Sequence, residues 1–219
     1  MTVPPALVFD LDGTLIDSLP DLHAAVNRLL AVESEGQMSL GEVASYVGDG
    51  ARVLVSRVMA ARDMDQTRHP ELTERFIDDY TQHSADLTCV YPGVHAALTA
   101  LKEAGHVLGL CTNKPKSATL SVLEQLRLGQ YFDTIIAGDS MAERKPHPAP
   151  LLAAFEALNR RGTFIGDSEV DARTAEAAGV PFFLYTLGYL RVPISEIRVS
   201  ASFNHFGELE ALMHRSTSV

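Results

Sequence analysis

Four short clusters in the chain carry side chains able to do chemistry. In Asp10-Leu11-Asp12-Gly13-Thr14 two carboxylates stand two residues apart, directly after the apolar run Ala6–Phe9. Such a pair at a strand end is costly unless a cation neutralises it, although Asp and Thr are also common where a strand runs into a helix cap. Thr112-Asn113-Lys114 follows the apolar run Val107–Cys111. Its hydroxyl and backbone N–H groups suit one oxygen of a phosphate, while by itself the triplet reads as a plain turn with a solvated lysine. Arg144-Lys145-Pro146-His147-Pro148 opens a helix, with a lysine whose backbone the next proline restricts. His147 has no partners of its own kind and reads as a surface or core residue. Gly166-Asp167-Ser168-Glu169-Val170-Asp171 follows the run Thr163–Ile165, and Asp171 falls one helical turn after Asp167 if a helix begins there. A helix cap with acidic residues against the dipole accounts for one of these carboxylates but less well for two beside a glycine.

Together the clusters say more than any one alone. Carboxylates from two strand ends, a hydroxyl from a third and a lysine make a site for a divalent cation and a phosphate. Oxygen donors without Cys or His favour Mg²⁺, which takes one or two carboxylates, waters and a substrate phosphate.

These clusters need a scaffold that brings strand ends together. The apolar runs Ala6–Phe9, Val107–Cys111, Thr134–Ala137, Thr163–Ile165 and Pro181–Tyr185 alternate with segments of helical period: Val94–Ala104, Ser117–Leu126, Leu151–Leu158 and Ala172–Ala178. Strands apolar throughout and separated by helices predict an α/β fold with a parallel sheet covered on both faces, its ligand crevice at the carboxyl ends of the strands. From about Asp17 to Thr88 the pattern is helical only (Leu19–Ala31, Leu40–Tyr46, Ala51–Ala61, Glu71–Ser84), with Ser39 and His69-Pro70 as helix starts. This predicts a helical insertion after the first strand.

The composition sets outer bounds. A length of 219 residues fits one domain with a smaller insertion or two small domains, and 46% hydrophobic residues fill a real core. Eighteen Lys and Arg against 28 Asp and Glu leave a formal charge of −10, which disfavours a nucleic-acid or anionic-membrane surface. Two cysteines, Cys89 and Cys111, make no disulfide framework and fit a reduced, cytoplasmic setting. Met1–Pro5 lacks a basic stretch and the apolar run after it is too short for a signal core or a membrane span, while His214–Val219 reads as a frayed tail.

In the order Asp10-Leu11-Asp12-Gly13-Thr14, Thr112-Asn113, Lys145-Pro146 and Gly166-Asp167 with Asp171, the four clusters resemble the motifs of the haloacid dehalogenase superfamily, in its magnesium-dependent phosphatase branch. The resemblance spans Leu7 to about Phe206. It implies a Rossmann-like, doubly wound parallel core from residues 1–16 and 89–219, with 17–88 as an inserted helical cap. A closer likeness, to the bacterial phosphoglycolate phosphatases, rests on Pro20-Asp21-Leu22, Ala24–Arg28, Tyr46–Ala51, Tyr91–Val94 and Cys111–Pro115. His147, where the family more often has Asp or Ala, and a shortened segment at Asn159–Thr163 depart from the pattern.

By this resemblance the chain hydrolyses a small phosphorylated metabolite, 2-phosphoglycolate above all, through an aspartyl-phosphate. Asp10 is the nucleophile, and Asp12 the general acid and then base. Mg²⁺ is held by the side chains of Asp10 and Asp167 and the backbone carbonyl of Asp12. Thr112, Asn113 and Lys145 hold the phosphoryl group, and Asp171 orients Lys145 or a metal-bound water. In the cap, the loop Gly48-Asp49-Gly50 and Arg52 are candidates for reaching the substrate, the arginine meeting a carboxylate. The same motifs serve a sugar-phosphate mutase resembling β-phosphoglucomutase, or a phosphatase for a sugar phosphate or pyrophosphate. Dehalogenation is disfavoured because Asp12 is present. A non-catalytic binding module is disfavoured because none of Asp10, Asp12, Lys145 and Asp167 is lost. Either a monomer or a homodimer fits the periodicity.

Overall fold

The structure is a computed structural model that describes residues 3–216. Strands β1 (Ala6–Phe9), β4 (Leu108–Cys111), β5 (Thr134–Ile136), β6 (Gly162–Gly166), β7 (Phe182–Tyr185) and β8 (Ala201–Phe203) form one parallel sheet in the order β5-β4-β1-β6-β7-β8. Successive residues of β1 point to opposite faces, and both faces are apolar. Leu7 and Phe9 join a cluster with Val94, Leu98 and Leu101 of α5 (Val94–Glu103), Val122 and Leu123 of α6 (Lys116–Gln125), and Leu209 and Met213 of α9 (Leu209–Ser216). Ala6 and Val8 join another, with Leu151, Ala154 and Phe155 of α7 (Ala149–Ala157) and Ala172, Ala175 and Ala178 of α8 (Glu169–Ala178). The core is therefore a doubly wound α/β sandwich with a fully covered sheet.

Between β1 and α5 the chain forms a ribbon strand, four helices and the return strand. β2 (Ile16–Asp17) pairs antiparallel with β3 (Cys89–Val90), and between them lie α1 (Leu19–Val32), α2 (Leu40–Ala44), α3 (Ala51–Ala61) and α4 (His69–Gln82). The helices pack around their own cluster, including Leu22, Val26, Leu30, Val55, Leu72 and Phe76, which only Ala118 of α6 joins from beyond them among the buried residues. Ser39 and Glu42 make a reciprocal capping box at α2, and Pro70 stands in the first turn of α4, as their types favour. Asp21 on α1 accepts from the backbone N–H groups of Leu87 and Thr88 and from the Thr88 hydroxyl, fixing the chain where it re-enters the sheet domain.

The sequence reading lacks β2, β3, β8 and α9. The first three are two or three residues long, too short for a period to show. Of the tail expected to fray, α9 extends to Ser216, and residues 217–219 lie outside those described. Both cysteines are free, Cys89 exposed and Cys111 buried in β4.

Candidate active site

Parallel pairing brings the clusters to one edge. Phe9 lies opposite both Leu110 and Ile165, so Asp10, Thr112 and Asp167 all leave the sheet at the same end of three adjacent strands. The Asp10 N–H donates to the Ile165 carbonyl at 2.8 Å and the Thr112 N–H to the Ile136 carbonyl at 3.0 Å, which anchors the loops as they depart.

Lys145 arrives on the loop after β5 and is held by Asn113. The Asn113 Oδ1 accepts from the Lys145 N–H at 3.0 Å, and its Nδ2 donates to the Lys145 carbonyl at 2.9 Å. The buried Lys145 ammonium stands 2.8 Å from Asp10 Oδ1 and donates to Asp171 Oδ1 at 2.7 Å. Asp171 in turn closes a capping box on α8: its Oδ2 accepts from the Ser168 hydroxyl at 2.6 Å, and its N–H donates to Ser168 Oγ at 3.3 Å. Cap and charge partner are thus one side chain, so the ordinary and the functional explanations of Asp171 both hold.

Asp167 is set from the opposite side. Its Oδ1 accepts from the Thr14 hydroxyl at 2.6 Å and its Oδ2 from the Tyr189 N–H at 2.7 Å. Gly13, at φ +85°, and Gly188 leave this carboxylate room: a Cβ on Gly13 would stand 2.3 Å from Asp167 Oδ2, and one on Gly188 equally close to Asp167 Cβ.

Asp10, Asp167 and Asp171 are all buried, and each can offer an oxygen within 4.8 Å of the others. Burial pushes the Asp10 carboxyl up to about 7, against the pull of Lys145 and with Asp171 adding to the rise. Burial, then Asp171 and Asp10, hold the Asp167 carboxyl far above its usual range. Burial also opposes the charge on Lys145, but Asp10 and Asp171 outweigh it and keep the ammonium well above the usual lysine range. One lysine does not satisfy three carboxylates, and Asp10 Oδ1 is buried without a hydrogen bond, its contact with Lys145 being an ion pair of poor hydrogen-bond geometry. A hard cation with oxygen ligands fits both observations.

Above this cluster lies a cavity of about 50 Å³, lined from the sheet edge by Asp10, Asp12, Thr112, Asn113 and Lys114 and from the helical segment by residues including Leu22, Phe76 and Tyr80 of its helices and Gly48 and Gly50 of a loop. That is room for roughly four waters, far below the roughly 300 Å³ at which pockets begin to hold drug-sized ligands. The Gly48–Gly50 loop comes close to Asn113, whose Nδ2 donates to the Gly48 carbonyl at 3.4 Å; a Cβ on Gly50 would stand 3.1 Å from the Asn113 carbonyl oxygen.

Three residues have surroundings that the sequence does not show. Arg52 is exposed on α3 and not among the residues lining the cavity; its carbonyl contacts His69 Nε2 instead. The amide of Asn113 is occupied by the Lys145 backbone. Lys114 is not solvated but buried, donating to Asp12 Oδ1 at 2.8 Å and to the hydroxyl of Tyr80 on α4. Burial opposes the Lys114 charge, but Asp12 and Tyr80 raise its pKa overall, while burial pushes the Tyr80 hydroxyl up to about 12. His147 is exposed, with Nδ1 accepting from the Ala149 N–H. Thr14, Tyr80 and Tyr189 were not singled out by the sequence. Thr14 at least stands inside the first cluster, whereas the tyrosines stand in no motif.

A sheet of this order with four clusters at its carboxyl edge defines a class, and the comparisons agree. The profile described as "Haloacid dehalogenase-like hydrolase" matches residues 7–185, and the chain belongs to that family. A phosphoglycolate phosphatase of Cereibacter sphaeroides (strain ATCC 17029 / ATH 2.4.9) is 48% identical over 214 residues, which cover 96% of this chain and 98% of that protein. One from Rhodospirillum rubrum is 39% identical, over 94% of this chain and 90% of that one. A crystal structure of a predicted phosphoglycolate phosphatase from Haemophilus somnus 129pt superposes with a TM-score of 0.91 at 30% identity, over 97% of this chain and 99% of the other. The chain is a phosphoric monoester hydrolase. No described helix is long and apolar enough to cross a membrane.

Proposed function

We propose that the chain hydrolyses 2-phosphoglycolate to glycolate and inorganic phosphate through an aspartyl-phosphate on Asp10, with Mg²⁺ as its cofactor. The observation that carries this reading is the Asp10 carboxylate, buried at the wall of a small cavity, one oxygen without a hydrogen bond and an ammonium 2.8 Å away. The names of the relatives supply the substrate.

The carboxylates of Asp10 and Asp167, with the Asp12 carbonyl, would hold the cation, and Asp171 stands close by. When bound, Mg²⁺ neutralises the charge between carboxylate and phosphate dianion. The Asp10 carboxylate attacks phosphorus, and the bond to the ester oxygen breaks. Asp12 gives that oxygen its proton, then takes one from the water that hydrolyses the aspartyl-phosphate. Lys145, fixed by Asn113 and Asp171, offsets charge on the transferring group, and the Thr112 hydroxyl at the cavity wall donates to it. Residues 17–88 act as a cap that closes over the leaving group, and the remainder as the core that performs the chemistry.

Phosphate release from 2-phosphoglycolate, several sugar phosphates and pyrophosphate, with and without Mg²⁺, tests this reading. The expected result is Mg²⁺-dependent release that prefers 2-phosphoglycolate and is lost in Asp10→Asn. Near-full activity of Asp10→Asn would falsify the covalent route. Phosphate retained on a sugar product would make the chain a mutase.

A further inference from the structure

We propose that Lys114 and Tyr80 form the subsite that reads the carboxylate of the substrate, a core ammonium and a cap hydroxyl acting together. The inference rests on the reading of the chain as a 2-phosphoglycolate phosphatase and names the groups that make it selective for an acid.

The walls contributed by α1, α3 and α4 are apolar at Leu22, Leu54 and Phe76, and Arg52 stands outside. Among the described residues lining the cavity, Lys114 is the sole cation. Its position follows from the chemistry of the leaving group. Asp12 must reach the ester oxygen to protonate it, and in 2-phosphoglycolate a single methylene separates that oxygen from the carboxylate. The carboxylate therefore lies beside whatever neighbours Asp12 on the cavity wall, and Lys114 Nζ is 2.8 Å from Asp12 Oδ1.

Lys114 also has capacity to spare. An ammonium carries three protons, and those of Lys114 have two hydrogen-bond partners, Asp12 Oδ1 and the Tyr80 hydroxyl oxygen. Because the Tyr80 oxygen accepts from Lys114, its own proton is left to donate. Among described residues the structure gives that proton no acceptor, although the hydroxyl borders the cavity. The third lysine proton and the tyrosine proton together suit the two oxygens of one carboxylate. The ammonium stands 4.4 Å from the centre of the Tyr80 ring, so the pair is packed as a unit. Tyr80 belongs to α4 and Lys114 to the loop after β4, so a carboxylate bound to both bridges helices and sheet. A neutral ester of the same shape would leave that bridge unmade and a buried cation without its second anion.

The test compares an acid with its neutral methyl analogue in wild type, Lys114→Met and Tyr80→Phe. Turnover uses 2-phosphoglycolate against ethyl phosphate. Binding, by calorimetry with Mg²⁺ present, uses the non-hydrolysable 3-phosphonopropionate against propylphosphonate. Wild type is expected to favour the acid in both assays. Lys114→Met should lower the acid-to-neutral ratio of kcat/KM roughly a hundredfold, and Tyr80→Phe roughly tenfold. The ratio of phosphonate Kd values should fall in step. If Lys114 only positions Asp12, both substrates lose equally and the ratios stay at the wild-type value, which overturns the inference. The same conclusion follows if Tyr80→Phe folds normally and neither ratio moves. Wild type inactive on 2-phosphoglycolate but active on another ester would instead overturn the substrate reading, and the phosphonate ratios would still decide the role of Lys114.

Discussion

Asn113 ties the loop after β4 to the loop that carries Lys145: its amide satisfies both backbone groups of Lys145 and reaches the Gly48 carbonyl as well. Asn113→Ala leaves a buried N–H and a buried carbonyl unpaired, which should cost about 2 to 4 kcal/mol of stability. It should also release the Lys145 backbone, so kcat is expected to fall more than tenfold, as for other displaced charge-stabilising groups. Denaturant unfolding and steady-state kinetics check the two effects; a stable variant with full kcat would mean Lys145 is placed by other contacts. What was legible at this scale follows a rule. Asp10, Thr112 and Asp167 show in the sequence because each directly follows an apolar strand, and a parallel sheet makes strand ends converge. The pairing of Lys145 with Asp171 was readable as one of two alternatives. The burial of Lys114 was not, because Tyr80 covers it from a helix 34 residues earlier in the chain, and no local pattern encodes that contact. Nor does any local pattern show that the Asn113 amide holds the Lys145 backbone, since that loop comes 32 residues later in the chain.

At the scale of elements, the helical segment and the sheet also meet through charged groups beside the cavity. Arg191, in the loop after β7, lies against Glu169 at the start of α8, with Nε 2.7 Å from Oε1, and reaches Asp49 of the Gly48–Gly50 loop at 3.2 Å; Asp49 also pairs with Arg57 of α3 at 2.7 Å. The Arg191 and Asp49 side chains are each 23% exposed, so solvent screens the pair and its share of folding stability is small. Its consequence is positional: it favours the arrangement in which the glycine loop lies over Asn113. Arg191→Ala is expected to raise KM several-fold with little change in kcat and a Tm close to wild type, since it weakens the proposed closure and leaves the reacting groups alone. A fall in kcat with KM unmoved would count against a closing role. The major elements were visible as strand and helix periods, α3 over its full length. The ribbon β2–β3 was not, since two residues per strand carry no period, and neither was the contact made by Arg191, since an arginine in an irregular loop looks solvated until its partners are in place.

For the molecule as a whole, three buried carboxylates inside a chain of net charge −10 make folding and cation binding one problem in electrostatics. With its pKa raised to about 7 from the usual 3.8, Asp10 binds a proton in the folded chain that the unfolded chain has already released. Between these two values the folded state holds more protons than the unfolded one, so without metal this group makes stability fall as pH rises, and the loss levels off above about 7. Asp167 is shifted in the same direction and adds to the fall, whereas Lys145, raised above the usual lysine range, stays charged in both states throughout. A cation bound to these oxygens competes with the proton, so its effect has the opposite slope. Saturating Mg²⁺ is expected to raise Tm little near pH 5 and by several degrees near pH 8, the increase concentrated around about pH 7. Asp10→Asn, which has no proton to displace, should show a smaller Mg²⁺ effect with a flatter dependence on pH. Thermal unfolding of both proteins across this range decides the matter: a Mg²⁺-induced shift equal at both ends, or equal in the two proteins, would mean that the cation does not bind at the Asp10 carboxylate.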